Sequence, residues 1–133
     1  EFLIIDIVCN EYKKFHWIQI ILIIREFFIM HYFNYSIIND KVKFFGKVSD
    51  EVLVDLYSQS LAVIHLVKQP PFGLIVTESM ACETPVIACH PGGTDETIIH
   101  NETGFLINEE DQDALIKYIN KFLENPELSM EMG

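Results

Sequence analysis

Residues 72–99 have the sequence FGLIVTESMACETPVIACHPGGTDETII, and this stretch decides the fold. Gly73 comes just after a double proline and predicts the start of a helix that runs to about Cys82. Residues 85–89 form a short apolar run, which is typical of a buried strand. Pro91-Gly92-Gly93 predicts a sharp loop, and a short helix is expected over 94–99. A helix, a strand and a loop in this succession indicate an α/β protein.

The same alternation continues on both sides of this stretch. We predict further strands over 2–8, 41–46, 61–66 and 103–107, helices over 49–59 and 111–124, and a short helix after Pro126. The connection lengths suit βαβ units, so we expect a Rossmann-like, mainly parallel sheet with helices on both faces. Ligands of such sheets bind at the carboxyl ends of the strands, which should place the loops at 46–50, 67–73 and 90–95 on one rim.

Residues 12–33 contain neither Gly nor Pro and predict a long helix that is apolar nearly all round. The longest unbroken apolar run, Ile20–Ile24, falls far short of the roughly 20 residues that span a membrane. We expect the helix to pack on both sides or against another domain. Weak association with a membrane surface is the alternative, and partial coverage of the helix would promote self-association.

Composition and charge restrict the function classes. The chain has 133 residues, 9 Lys and Arg against 20 Asp and Glu, and a formal net charge of −11. This length predicts one domain over 1–133, and the acidic balance without a basic cluster excludes general nucleic-acid binding. Three cysteines without a CxxC motif predict reduced thiols and a cytoplasmic protein. Because the chain starts at Glu1 rather than Met, we expect a part of a longer protein, incomplete at its N-terminal edge.

Two residues of the deciding stretch suggest a binding site. Gly73 lets a ligand approach the backbone, and amides at the start of a helix favour anions. Glu78 lies five residues further on, and a carboxylate there can accept two hydrogen bonds from the cis-diol of a ribose. The alternative for Glu78 is an ordinary glutamate of a helix.

Several motifs in order resemble the retaining GT-B glycosyltransferases of family 4, the "glycosyl transferases group 1" domain. The family pattern E-x-F-G-x-x-x-x-E-A-M-A-C/S-G-x-P-V-I-A, followed by G-G-x-x-E, is similar to residues 72–99. Residues 41–57, KVKFFGKVSDEVLVDLY, resemble V-x-F-x-G-x-V-x-x-E-x-L-x-x-L-Y, and residues 102–106 match x-T-G-x-L. The resemblance covers about residues 41–125, while residues 1–40 match only as a generic strand and helix.

The resemblance implies the C-terminal, donor-binding half of a GT-B enzyme, which transfers a hexosyl group from a nucleotide-diphosphate sugar with retention. The acceptor is unknown and would sit against an N-terminal domain. In such enzymes the matching positions line the nucleobase, meet the donor sugar and phosphate through backbone amides, hold the ribose, and shape the pocket. In this sequence the nucleobase positions are Val48 and Asp50, and the sugar and phosphate positions are Phe72, Gly73 and Leu74. The ribose position is Glu78, and the positions that shape the pocket are Gly92 and Gly93. The resemblance implies no metal and no cofactor besides the donor, and Asp111-Gln112-Asp113 is interpreted as a helix start.

Two departures from the family pattern carry consequences. Pro70 stands where the family has the first glutamate of E-x7-E, so the catalytic residue stays unknown. Glu83 replaces a glycine at a helix end, which predicts a strained or reshaped turn. The resemblance also implies an Arg/Lys pair that stabilises the departing diphosphate, and this pair lies upstream of the first strand of this chain. We therefore expect the chain alone not to transfer sugar. A degenerate or split homologue that binds a nucleotide sugar or a partner is the alternative, and an unrelated flavodoxin- or receiver-type domain is a third hypothesis.

Overall fold

A computed structural model describes residues 3–7, 19–24, 42–45, 48–67 and 73–133. Within these ranges the strands are β1 (Leu3–Ile7), β2 (Gln19–Ile24), β3 (Val42–Phe44), β4 (Ser60–His65), β5 (Val86–His90) and β6 (Gly104–Asn108). The helices are α1 (Asp50–Ser58), α2 (Leu74–Ala81), α3 (Gln112–Glu124) and α4 (Glu127–Met132), with a 3-10 turn at Gly93–Glu96. From residue 42 onward these elements follow the predicted order.

The strands form one sheet in the order β3-β1-β2-β4-β5-β6. β2, β4, β5 and β6 pair in parallel, which confirms the mainly parallel sheet. β1 is antiparallel to both of its neighbours, β2 and β3. Because β3 and β2 are each antiparallel to β1, they run in the same direction. The carboxyl ends of β2, β3, β4, β5 and β6 therefore lie at one edge of the sheet, which we call the carboxyl edge.

Successive residues of the parallel strands enter two separate cores. Val63, Val86 and Ala88 pack with Leu56, Tyr57 and Val76 of α1 and α2. Their neighbours along the strands pack with residues of α3 and α4; this second core contains Ala62, Ile64, Ile87, Cys89, Phe105, Ile107, Phe122 and Met132. Strands buried on both faces account for the continuous apolar runs in the sequence. The expected helices on both faces of the sheet are confirmed.

The long helix predicted over 12–33 is wrong at its centre. Residues 19–24, QIILII, form β2 between β1 and β4. Isoleucine is β-branched and suits a central strand, and an apolar run without polar interruption does not distinguish a strand from a buried helix. Residues 8–18 and 25–33 lie outside the described residues. The predicted membrane contact and self-association relied on an apolar helix that does not form over 19–24.

Among the helices that the structure describes, none combines the length and the apolar character needed to cross a bilayer.

The turn between α2 and β5 has the backbone that its sequence predicts. Glu83 adopts φ 58°, a left-handed conformation that glycine accepts more readily than other residues. The Glu83 amide donates to the carbonyl of Met80 at 3.0 Å, so the helix ends by a hydrogen-bonded left-handed turn. The departure from the family's glycine therefore leaves the turn in place with a less favourable residue.

Glu83→Gly should raise the free energy of unfolding by about 0.5–1 kcal/mol. The left-handed penalty of roughly 1–2 kcal/mol disappears, and the greater freedom of glycine in the unfolded chain offsets part of this gain. Asn101→Gly is the matched control, because Asn101 also has a positive φ, 70°, but asparagine tolerates it. Urea unfolding of the three proteins measures the effect. An equal gain from both substitutions, or none from Glu83→Gly, would contradict this account.

Candidate functional site at the carboxyl edge

The topology brings most of the predicted site residues to the carboxyl edge. The segments that follow β3, β4 and β5 all leave the sheet there, and each leads into a helix or 3-10 turn. The described site residues in or just after these segments are Val48 and Asp50 at α1, Gly73, Leu74 and Glu78 at α2, and Gly92 and Gly93 after β5. Pro70 and Phe72 lie outside the described residues. The sequence therefore predicted the common edge correctly.

At the start of α1, the two predicted nucleobase residues have different surroundings. Val48 is half-buried and packs against the core beneath α1, whereas Asp50 is exposed. Ser49 is the N-cap residue with an extended backbone, but its hydroxyl makes no capping bond to the helix. Instead, a hydrogen bond from the Ser49 hydroxyl lowers the pKa of the exposed Glu51 carboxyl. Asp50 is thus the predicted nucleobase residue with a freely accessible side chain.

The start of α2 consists of a glycine followed by apolar residues. Gly73 is the N-cap residue in a left-handed conformation, φ 71° and ψ 77°, and its carbonyl accepts from the Val76 amide at 2.9 Å. Leu74, the first helical residue, is 70% exposed. Within Leu74–Ala81 the first turn carries no acidic side chain that would offset the positive end of the helix. This helix start can therefore receive a negatively charged group.

Glu78 is exposed on the second turn of α2 and faces a buried tyrosine. The Tyr57 hydroxyl donates to Glu78 Oε2 across 3.4 Å, although Tyr57 itself is only 2% exposed. Burial raises the pKa of the Tyr57 phenol, and the Glu78 carboxylate raises it further. The phenol therefore stays protonated at neutral pH and remains a donor to the carboxylate.

Tyr57 and Glu78 belong to a closed circuit of hydrogen bonds. The Thr84 hydroxyl donates to the Tyr57 carbonyl at 2.7 Å, and the Ser79 hydroxyl donates to the Thr84 carbonyl at 2.8 Å. Ser79 and Thr84 are both fully buried, and Ser79 adjoins Glu78 along the chain. The circuit connects the end of α1, the middle of α2 and the turn before β5. Sequence reasoning missed Tyr57 as a site residue: it closes the quoted 41–57 motif, but nothing local indicated a contact 21 residues away.

The loop after β5 is organised by a buried threonine. Thr94 is fully buried, and its hydroxyl donates to the Cys89 carbonyl at 2.7 Å. The Gly92 amide donates to Asp95 Oδ2 at 3.4 Å, and the Asp95 amide returns a bond to the Gly92 carbonyl at 3.1 Å. These bonds fold Gly92 and Gly93 into a compact turn at the carboxyl edge.

Asp111 and Asp113, which follow β6, lie at the start of α3. Asp111 is the N-cap residue of α3, and its Oδ1 accepts from the Ala114 amide at 2.9 Å. The interpretation of Asp111-Gln112-Asp113 as a helix start is therefore confirmed. Across the described part of the chain, no three His, Cys, Asp or Glu side chains come together in a way that could hold a metal ion.

Most of the chain matches one known protein family. The family model described as "Glycosyl transferases group 1" matches residues 35–133, well over half of the chain. This protein belongs to the group 1 glycosyltransferase family, and its fold is that of the C-terminal domain of GT-B enzymes.

Individual relatives agree with this assignment. The chain is 32% identical over 96 residues to the D-inositol 3-phosphate glycosyltransferase of Streptomyces avermitilis, covering 72% of this chain and 21% of the relative. It resembles the structure of sucrose-phosphate synthase from Thermosynechococcus elongatus with a TM-score of 0.69 and 35% identity, covering 78% of this chain and 25% of the other. Alr3699/HepE of Anabaena, solved with UDP and glucose, gives a TM-score of 0.61 and 29% identity, covering 70% and 25%. The chain thus spans a quarter or less of the lengths of these proteins.

Thr94→Val should lower the free energy of unfolding by about 1–2 kcal/mol. Valine keeps the shape of the side chain but leaves the buried Cys89 carbonyl without the threonine hydroxyl. Thr94→Ser, which keeps the hydroxyl and loses only a methyl group, is the matched control. Denaturant unfolding measures both variants. A Val variant as stable as the natural chain, or a Ser variant less stable than the Val variant, would show that this hydrogen bond does not hold the turn.

Proposed function

We propose that this chain is the donor-binding half of a hexosyltransferase that uses a nucleotide-diphosphate sugar and retains the configuration at the transferred carbon. The observation that carries the proposal is the exposed Glu78 carboxylate on a helix that starts at the carboxyl edge of the sheet. Alr3699/HepE of Anabaena has been crystallised with UDP and glucose and, separately, with UDP-glucose, which supports a nucleotide sugar as the ligand.

Each part of the edge has a role in this proposal. Glu78 accepts hydrogen bonds from the ribose hydroxyls, because a carboxylate offers two oxygens to a cis-diol. The backbone amides at Phe72, Gly73 and Leu74 meet the donor sugar and the phosphates. Asp50, with Val48 behind it, lies nearest the nucleobase. Gly92 and Gly93 shape the side of the pocket where a side chain would take up space.

The start of α2 supplies the chemistry that this half contributes. Sugar transfer leaves a nucleoside diphosphate with added negative charge on the leaving oxygen, and fixed positive dipoles stabilise such charge in the transition state. The acceptor domain and the family's Arg/Lys pair would complete the site from elsewhere in the protein. The 133-residue chain alone should therefore bind a donor without transferring sugar.

Pro70 favours a second candidate function. Proline provides neither the charge nor the hydrogen-bonding side chain of the family's glutamate at this position. A degenerate homologue would keep nucleotide-sugar binding or partner binding and lose transfer. Sugar transfer by the whole protein would favour an active hexosyltransferase over a degenerate homologue.

Glu78→Gln should weaken binding of a nucleoside diphosphate by roughly ten- to a hundredfold. A hydrogen bond to a charged group contributes about 1.5–3 kcal/mol, and the amide keeps the shape while losing the charge. Calorimetric titration of the chain with UDP, GDP and ADP measures the affinities and identifies the base. Glu124→Gln is the matched control, because Glu124 is an exposed glutamate at the far end of α3, away from the carboxyl edge. Unchanged affinity in the Glu78 variant, or an equal loss in the control, would refute the assignment of Glu78.

A further inference from the structure

We propose that Tyr57 is a positioning residue that holds the Glu78 carboxylate in the orientation that accepts the ribose hydroxyls. The inference rests on the proposed function, because it assigns the ribose to Glu78. It adds a residue from a different helix, α1, whose side chain does not reach solvent and would not touch the nucleotide itself.

The two oxygens of the Glu78 carboxylate have different surroundings. Tyr57 Oη lies 3.4 Å from Glu78 Oε2, while Oε1 has no hydrogen-bond partner among the described residues. The distance is long for a hydrogen bond between oxygens, and bonds of this kind often shorten when a ligand completes the site. Oε2 is thus held by Tyr57, and the proposal assigns Oε1 to the ribose diol.

The Tyr57 phenol, which donates the hydrogen bond to Glu78, is held rigidly. The Tyr57 ring is packed in the core with Val63, Val76 and Val86. Its carbonyl is held by the Thr84 hydroxyl, and Thr84 is held in turn by Ser79, which adjoins Glu78. The phenol and the backbone that carries the carboxylate therefore belong to one hydrogen-bonded frame.

Ordering an exposed glutamate side chain costs conformational entropy. A free glutamate side chain samples many rotamers, and ordering it on binding costs free energy that reduces affinity. A hydrogen bond from a buried tyrosine restricts the carboxylate before the ligand arrives. Removal of the hydroxyl alone should therefore weaken the contact with the ribose and leave the contacts with phosphate unchanged.

The test compares Tyr57→Phe with the natural chain in binding to two ligands. The ligands are the tightest binder among UDP, GDP and ADP and its 2′-deoxy form, titrated by calorimetry. The natural chain should prefer the ribonucleotide, and Tyr57→Phe should weaken ribonucleotide binding roughly three- to tenfold while weakening the 2′-deoxy form less. The preference for the ribonucleotide should fall accordingly. Adding Tyr57→Phe to Glu78→Gln should produce little further loss, since the two residues act through one contact.

Tyr118→Phe is the matched control. The Tyr118 hydroxyl also lies 3.4 Å from its partner, His100 Nε2, but on α3 against the opposite face of the sheet. This variant should keep both affinities. Thermal unfolding of each variant verifies that the core stays folded, as expected because phenylalanine keeps the ring.

Three results would overturn the inference, and they differ from one another. A Tyr57→Phe chain with the natural preference and the natural affinities shows that the hydroxyl does not position Glu78. An equal loss for both ligands, with the preference kept, assigns Tyr57 a merely structural role. A natural chain that binds no ribonucleotide, or binds it no better than the 2′-deoxy form, refutes the ribose role of Glu78 and the proposed function, independently of Tyr57.

Discussion

The parallel pairing of β4 with β2 and β5 is the constraint on which the rest of the structure depends. Parallel neighbours must be joined by crossovers, so α1 leads into β4 and α2 joins β4 to β5, while all strands from β2 to β6 end at the same edge of the sheet. Because both faces are then covered by helices, the strands can be apolar on both sides. The carboxyl edge collects the starts of α1 and α2 and the 3-10 turn after β5.

The interaction between Tyr57 and Glu78 joins this architecture to the candidate site. The Tyr57 ring is buried in the core between the sheet and the first two helices, which also contains Val63, Val76 and Val86. The same ring ends in a hydroxyl that reaches an exposed carboxylate. In the proposed site, a core residue thus holds the ligand-binding carboxylate without touching the ligand.

The sequence predicted the part of the fold in which local signals and long-range packing agree. Such signals are carried by Pro91-Gly92-Gly93, by Asp111 and by the continuous apolar runs of β4 and β5. The order of elements from residue 42 onward is confirmed. The left-handed backbone at Glu83 was also predictable, because the family pattern has glycine there. The segment 19–24 was predicted wrongly, since an unbroken apolar run fits a buried strand and a buried helix equally well. The antiparallel placement of β1 required knowledge of its neighbours, which no local pattern contains.

For the site, the sequence predicted which segments meet, but not which side chains are exposed or which side chains contact each other. The resemblance pointed to Val48 and Asp50 together, yet only Asp50 is freely exposed, because Val48 packs against the core. Tyr57 went unassigned because its contact with Glu78 joins two helices across 21 residues. Contacts of this kind arise from the register of the sheet, so they appear only once the tertiary structure is known.

A structure of the chain with UDP bound tests the central claim most directly. We predict that Glu78 accepts hydrogen bonds from the ribose hydroxyls at about 2.5–3.0 Å while the Tyr57 hydroxyl stays on Oε2, with the diphosphate at the backbone amides of Gly73 and Leu74. UDP bound away from the carboxyl edge, or bound there with Glu78 out of hydrogen-bonding distance of the ribose, would contradict it.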